Sequence, residues 1–222
     1  MGIVQALKNL FWDSDYDVDV YDRVKFVEAY KSYMPPFSLV PELRPSLRVV
    51  PPKFLRGLNR IVLTNTAALS RRRRRERTYS RKRAVRISDV RGLYHPAWNG
   101  EEPHIELFVD KLVVKSGSRY YKRHISILSL SSVLFHEIGH HIHYTKHPEQ
   151  GEWERIAEKH QKRFNKRLLL RQSFRHPVAL ASLISDVGLI ARTWNARHEL
   201  RESFRLYRKL REKKRLAKKK RK

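Results

Sequence analysis

The stretch Ser126-Ile-Leu-Ser-Leu-Ser-Ser-Val-Leu-Phe-His136-Glu137-Ile138-Gly139-His140-His141-Ile-His143 decides how this chain is to be read. Ile127, Leu128, Leu130, Val133 and Leu134 recur at helical spacing and Pro148 closes the run. One long helix over residues 126–147 is therefore expected. Residues four apart on a helix lie one turn apart on nearly the same face. His136 and His140 can then present both imidazoles to one ion about 2 Å away, the usual Zn–N distance. Glu137 is rotated by about 100° from the first imidazole, so it can reach a water on the ion without ligating it. That division of labour suits metal-assisted hydrolysis, in which the ion acidifies water and polarises a carbonyl while a carboxylate moves the proton.

The chain has eleven His and no Cys, so any metal must be held by imidazole or carboxylate. Zinc is the expected ion, and it needs a third protein ligand. The pattern with Gly three and His six residues after the second His is absent, since His143 and Lys146 stand there. A turn at residues 147–151 would fold a second helix, to about residue 172, antiparallel to the first and bring Glu154 to the metal. Glu158, one turn later, would orient a metal-bound imidazole. The plainer alternative has Glu152, Glu154 and Glu158 decorating a solvated face with Lys159 and Lys162.

Upstream, Arg60-Ile-Val-Leu-Thr64 has strand character, residues 84–90 and 92–95 read as a strand pair, and residues 104–109 read as the next strand. Residues 1–11 and 20–33 read as helices. A proline-punctuated connection (Pro35, Pro36, Pro41, Pro45, Pro51, Pro52) and a helical turn over residues 53–58 follow. Two further helices are expected near residues 177–192 and 195–216. The ladder Asp13, Asp15, Asp17, Asp19, Asp22 is not a calcium loop, because Val18 and Val24 occupy the positions that require Gly and Glu.

His136-Glu-Ile-Gly-His140 followed by Glu154-x-x-Ala157-Glu158 resembles the gluzincin pattern of zinc metallopeptidases, and the short interval resembles their minimal members. The resemblance covers roughly residues 53–172. It implies an α+β fold with a small, about three-stranded sheet packed on the active-site helix, extended by C-terminal helices. It also implies peptide-bond hydrolysis with Glu137 as general base, and an edge strand at residues 104–110 that pairs with an extended substrate. Tyr94 or His95 would supply an oxyanion donor. A competing likeness exists: Asn195-Ala-Arg-His198-Glu-Leu-Arg-Glu202 resembles the third-ligand helix of lethal-factor-like peptidases, which would make His198 the third ligand and Glu202 its outer partner.

These readings divide the chain into an N-terminal segment (1–52), a catalytic domain (53–172) with an Arg-rich insertion (71–86), and C-terminal helices ending in a basic tail (173–222). The net charge is +27. Residues 71–86 carry ten Lys/Arg against Glu76, and residues 208–222 carry eleven against Glu212. Such charge density repels itself and is expected to be solvated, offering sequence-independent attraction to nucleic acid that falls steeply with salt. The opening Met1–Ala6 lacks the pattern of a signal peptide, and no apolar stretch is long enough to span a bilayer. A cytoplasmic location is the expectation. Two functions follow: a zinc peptidase acting on peptides or proteins, or a non-catalytic, basic nucleic-acid-binding protein with a structural or vestigial metal site.

Overall fold

The computed structural model describes residues 18–80, 83–146, 148, 149 and 151–175. The chain divides by its internal contacts into two units, Met1–Leu170 and Arg171–Lys222, and the elements below belong to the first, the last helix running on to Arg175. The expected helices at residues 1–11, 177–192 and 195–216 lie outside the described residues, as do His198, Glu202 and the tail 208–222.

The fold is α+β. Its sheet has four strands: β1 (Lys25–Ala29), β2 (Arg60–Thr64), β5 (Gly92–His95) and β6 (His104–Phe108), in the order β1-β2-β6-β5. The first three of that order run parallel, and β5 pairs antiparallel with β6. One sheet face carries Ile61, Leu63, Ile105 and Leu107, all fully buried. Leu130, Leu134, Phe135, Ile138 and Ile142 of the long helix α4 (Arg119–Lys146) join them in one core. The Ser118 hydroxyl accepts the backbone N–H of Tyr121, so α4 starts seven residues before the expected 126.

The expected helix over residues 20–33 is instead a short helix α1 (Val18–Arg23) followed by β1. Val20, Tyr21 and Val24 bury at helical spacing, but Lys25 onward extends along β2. The proline-punctuated connection contains a helix, α2 (Val40–Leu47). Pro41 sits in its first turn, where backbone N–H groups lack partners in any case. Pro45 forgoes one hydrogen bond, and Leu39, Leu43 and Leu47, each fully buried, offset it.

The expected strand pair also resolves differently. The insertion folds as a helix α3 (Arg71–Arg75) and a hairpin of β3 (Arg77–Ser80) with β4 (Arg83–Arg86), a separate two-stranded sheet. β4 therefore pairs with β3, and β5 pairs with β6. Leu69, Ile87 and Phe108, with Val90 and Leu93, form a small second core under this insertion. Among the described residues no helix is long and apolar enough to cross a membrane.

Candidate metal centre

Helix α5 (Trp153–Arg175) follows the turn after α4 and lies against it. The contact is close because both partners are small. A Cβ built on Gly139 would stand 2.5 Å from the Cα of Ala157, and 2.8 Å from its carbonyl oxygen. Only glycine allows that backbone-to-backbone approach, and it is what carries the first turn of α5 to the imidazoles of α4. Ser132 ties the helices further: its hydroxyl accepts from Gln161 at 3.0 Å and from Asn165 at 2.9 Å.

His136 Nε2 and His140 Nε2 stand 3.1 Å apart, and Glu154 Oε2 lies 3.5 Å from His136 Nε2. The three donor atoms all fall within 4.8 Å of one another, the group among the described residues that could hold a metal ion. Donors about 2.0–2.2 Å from a tetrahedral zinc stand roughly 3.3 Å apart. The spacing and the donor set, two imidazoles and a carboxylate, therefore fit zinc. This side of the two helices opens on a cleft of about 1000 Å³, lined by Gly92, Leu93 and Tyr94 of β5, by Thr78 and Val85 of the hairpin, and by Trp153 of α5.

The two imidazoles differ in protonation. Burial pushes His140 down to about 4, and the neighbouring His136 adds to the shift, so His140 is neutral and its lone pair is free for a cation. Burial would lower His136 too, but the hydrogen bond and charge of Glu154, the charge of Glu137 and a hydrogen bond to the Gln161 oxygen outweigh it and raise its pKa. Gln161 donates its amide N–H to Ser132, which leaves its oxygen to accept from the His136 ring. Glu137 is 6% exposed. Burial pushes its carboxyl up to about 7, with the charge of Glu154 adding to the rise and His136 and the Tyr94 backbone N–H opposing it. Its carboxylate lies against Gly92, where a Cβ would come within 2.9 Å of Oε1.

The structure brings His136, Glu137, His140 and Glu154 together. Glu158 is half-buried one turn beyond Glu154, and Gln161 joins Glu154 as a residue of α5 that bonds the His136 ring. Gln161 belongs to no motif, and only its position two turns after Glu154 on the same helix hinted at it. Tyr94 is placed elsewhere than expected. Its hydroxyl donates to His141 Nδ1 at 3.1 Å, because His141 Nε2–H is already given to the Arg56 carbonyl at 3.0 Å. Burial raises that phenol to about 12, so the hydroxyl keeps its proton and directs it at His141. His95 alternates to the opposite sheet face, where Nε2 lies 3.0 Å from Glu106 Oε2 and its ring stacks on His104 at 4.4 Å. It does not line the cleft.

The strand expected to receive substrate is corrected as well. β6 is flanked by β2 and β5 and is buried along its whole length, so its backbone has no open edge. The sheet's two edge strands are β1 and β5, and β5 is the one that lines the cleft. The Phe108 N–H bonds the Arg91 carbonyl, which sets the ladder's phase and turns the backbone groups of Gly92 and Tyr94 outward. The Tyr94 N–H among them already serves Glu137.

No family model matches the chain, and no curated protein or solved structure matches it either.

Proposed function

We propose that this chain is a zinc-dependent peptidase in which His136, His140 and Glu154 hold the ion and Glu137 is the general base. The observation that carries the reading is the convergence of three donors from two helices within 4.8 Å of one another, beside a buried carboxylate with a pKa of about 7. The bound ion would polarise the scissile carbonyl and acidify the attacking water. Glu137 takes the water's proton and returns it to the leaving nitrogen, and a pKa near neutrality lets it do both. The open edge of β5 aligns an extended peptide along the cleft through the outward groups of Gly92 and the Tyr94 carbonyl. Gln161 holds the His136 ring in the orientation that turns Nε2 to the ion.

The exposed arginines of the insertion favour a second reading, a non-catalytic nucleic-acid-binding protein whose metal site is structural or vestigial. One experiment separates the two. Purified protein should contain one zinc per chain by elemental analysis and cleave an unfolded protein substrate. Glu137→Gln should keep the zinc and lose the cleavage by three or more orders of magnitude. Protein that binds no zinc, or a Glu137→Gln variant as active as the parent, ends the peptidase reading.

A further inference from the structure

The Arg-rich insertion is an ordered part of the catalytic unit. Ser70 caps α3, Ile87 N–H bonds the Glu76 carbonyl at 2.9 Å, and Leu69 and Ile87 bury against Phe108 of the main sheet. Arg73 reaches down to Glu106 with both guanidinium nitrogens, and Arg74 is spent on the carbonyls of Leu69 and Ala67. Arg72 lies 3.6 Å from Glu76. Three arginines are therefore occupied by the fold itself.

The rest of the hairpin has another destination. Thr78 and Val85 are cross-strand partners, and both line the metal cleft. Side chains alternate along a strand, so Arg83, two residues before Val85, belongs to the cleft-facing side, and it is exposed. Arg91, also exposed, lines the cleft at the start of β5. Arg77 and Arg86, directly opposite each other in the register, alternate to the other face of the hairpin, away from the cleft. None of Arg77, Arg83, Arg86 and Arg91 has a carboxylate partner among the described residues. Apart from Glu137 and Glu154 at the metal centre, Asp89 is the one acidic residue lining the cleft among the described residues.

We infer that Arg83 of the hairpin and Arg91 form a cationic wall that selects acidic peptide segments for the cleft. The inference rests on the peptidase reading for its substrate and deepens it by naming the class. A wall of one charge sign beside a low-dielectric cleft concentrates oppositely charged ligands and raises their rate of capture. A peptide paired with β5 runs past Arg91 and under the Thr78–Val85 face, so its side-chain carboxylates meet fixed guanidiniums. An extended peptide fits this placement better than nucleic acid does. The charges stand around a cleft that ends on a strand edge, with Arg72, Arg73 and Arg74 already engaged by the fold.

The test uses the full zinc-loaded chain and paired peptides of one sequence, flanked by Asp/Glu in one and Asn/Gln in the other. Wild type should favour the acidic member about tenfold in kcat/KM at low ionic strength, and the preference should shrink as salt rises. The double variant Arg83→Glu/Arg91→Glu should lose or invert the preference, read as the ratio of kcat/KM for the two peptides. Equal cleavage of both peptides by wild type overturns the inference, as does a preference the double variant retains. Anisotropy on Glu137→Gln separates the two readings. Acidic peptide bound there with a charge-dependent affinity supports the wall even if wild type cleaves nothing, which would sink the peptidase reading alone. A single-stranded oligonucleotide that binds the wall more tightly than the acidic peptide and displaces it overturns the inference in favour of nucleic acid.

Discussion

At the scale of single residues the site is governed by what burial does to Glu137. Its folded pKa of about 7 exceeds the ordinary 4.5, so the metal-free folded protein binds that proton more tightly than the unfolded chain does. Stability from this group is therefore complete below about pH 4.5 and declines as pH rises towards 7, levelling above it. The shift corresponds to about 3 kcal/mol. Chelated wild type should lose that much between pH 4.5 and 7 in urea melts, relative to Glu137→Gln. Identical profiles for the two proteins would show that the carboxyl is not desolvated. A second expectation concerns Gln161. Removing its side chain with Gln161→Ala should weaken zinc binding by about 10–100-fold in competition with a chromophoric chelator, because nothing then fixes the His136 ring. Much of this was legible in the chain. Helical spacing alone put His136, Glu137 and His140 together, and the turn after Pro148 pointed to Glu154. Gln161 was not legible, since an amide in a Lys-rich helix carries no motif. Tyr94 was legible as a neighbour of the site, but the competing acceptor His141 lies forty-seven residues away.

Between elements, the α4–α5 contact decides whether Glu154 arrives. Gly139 meets the Ala157 backbone at a distance no Cβ tolerates, and a backbone cannot swing aside as a flexible side chain can. Gly139→Ala should separate the helices at their closest point, costing about 1–3 kcal/mol in stability. The same change should cut zinc affinity more than stability alone explains, because the ligand of α5 recedes from those of α4. Thermal melts in chelator and a zinc titration of the same sample read the two effects separately. Unchanged affinity in a destabilised variant would mean that Glu154 is not a ligand. The elements missed by sequence share one physical cause: tertiary context overrode local pattern. β1 shows almost no alternation of burial, being an open edge, and so looked like a continuation of the helix before it. α2 carries two prolines and forms because three fully buried leucines outweigh the lost hydrogen bond.

Across the whole molecule, one ion pair joins the cationic arm to the sheet. Glu106 is buried in the sheet face opposite α4. Burial alone would raise its carboxyl, but hydrogen bonds from His95 and Arg73, with their charges, hold it down at about 2. Stability from this pair is present above pH 4.5 and is lost as pH falls towards 2, the opposite sense to Glu137. Charge density correctly marked residues 71–86 as unable to form a core, yet it could not show that one of their nine arginines finds a buried carboxylate thirty-three residues on. Arg73→Ala leaves that carboxylate with His95 alone, which is why it should destabilise by about 1–3 kcal/mol and free the arm. Adding Glu106→Gln removes the stranded charge, so the double variant should be more stable than Arg73→Ala by itself. In limited proteolysis both variants should be cut within residues 71–86 faster than wild type, while the fragment bearing α4 and α5 persists. If instead the arm resists cleavage in both, the small core of Leu69, Ile87 and Phe108 holds it without the ion pair. The cationic wall would then stand on apolar packing alone.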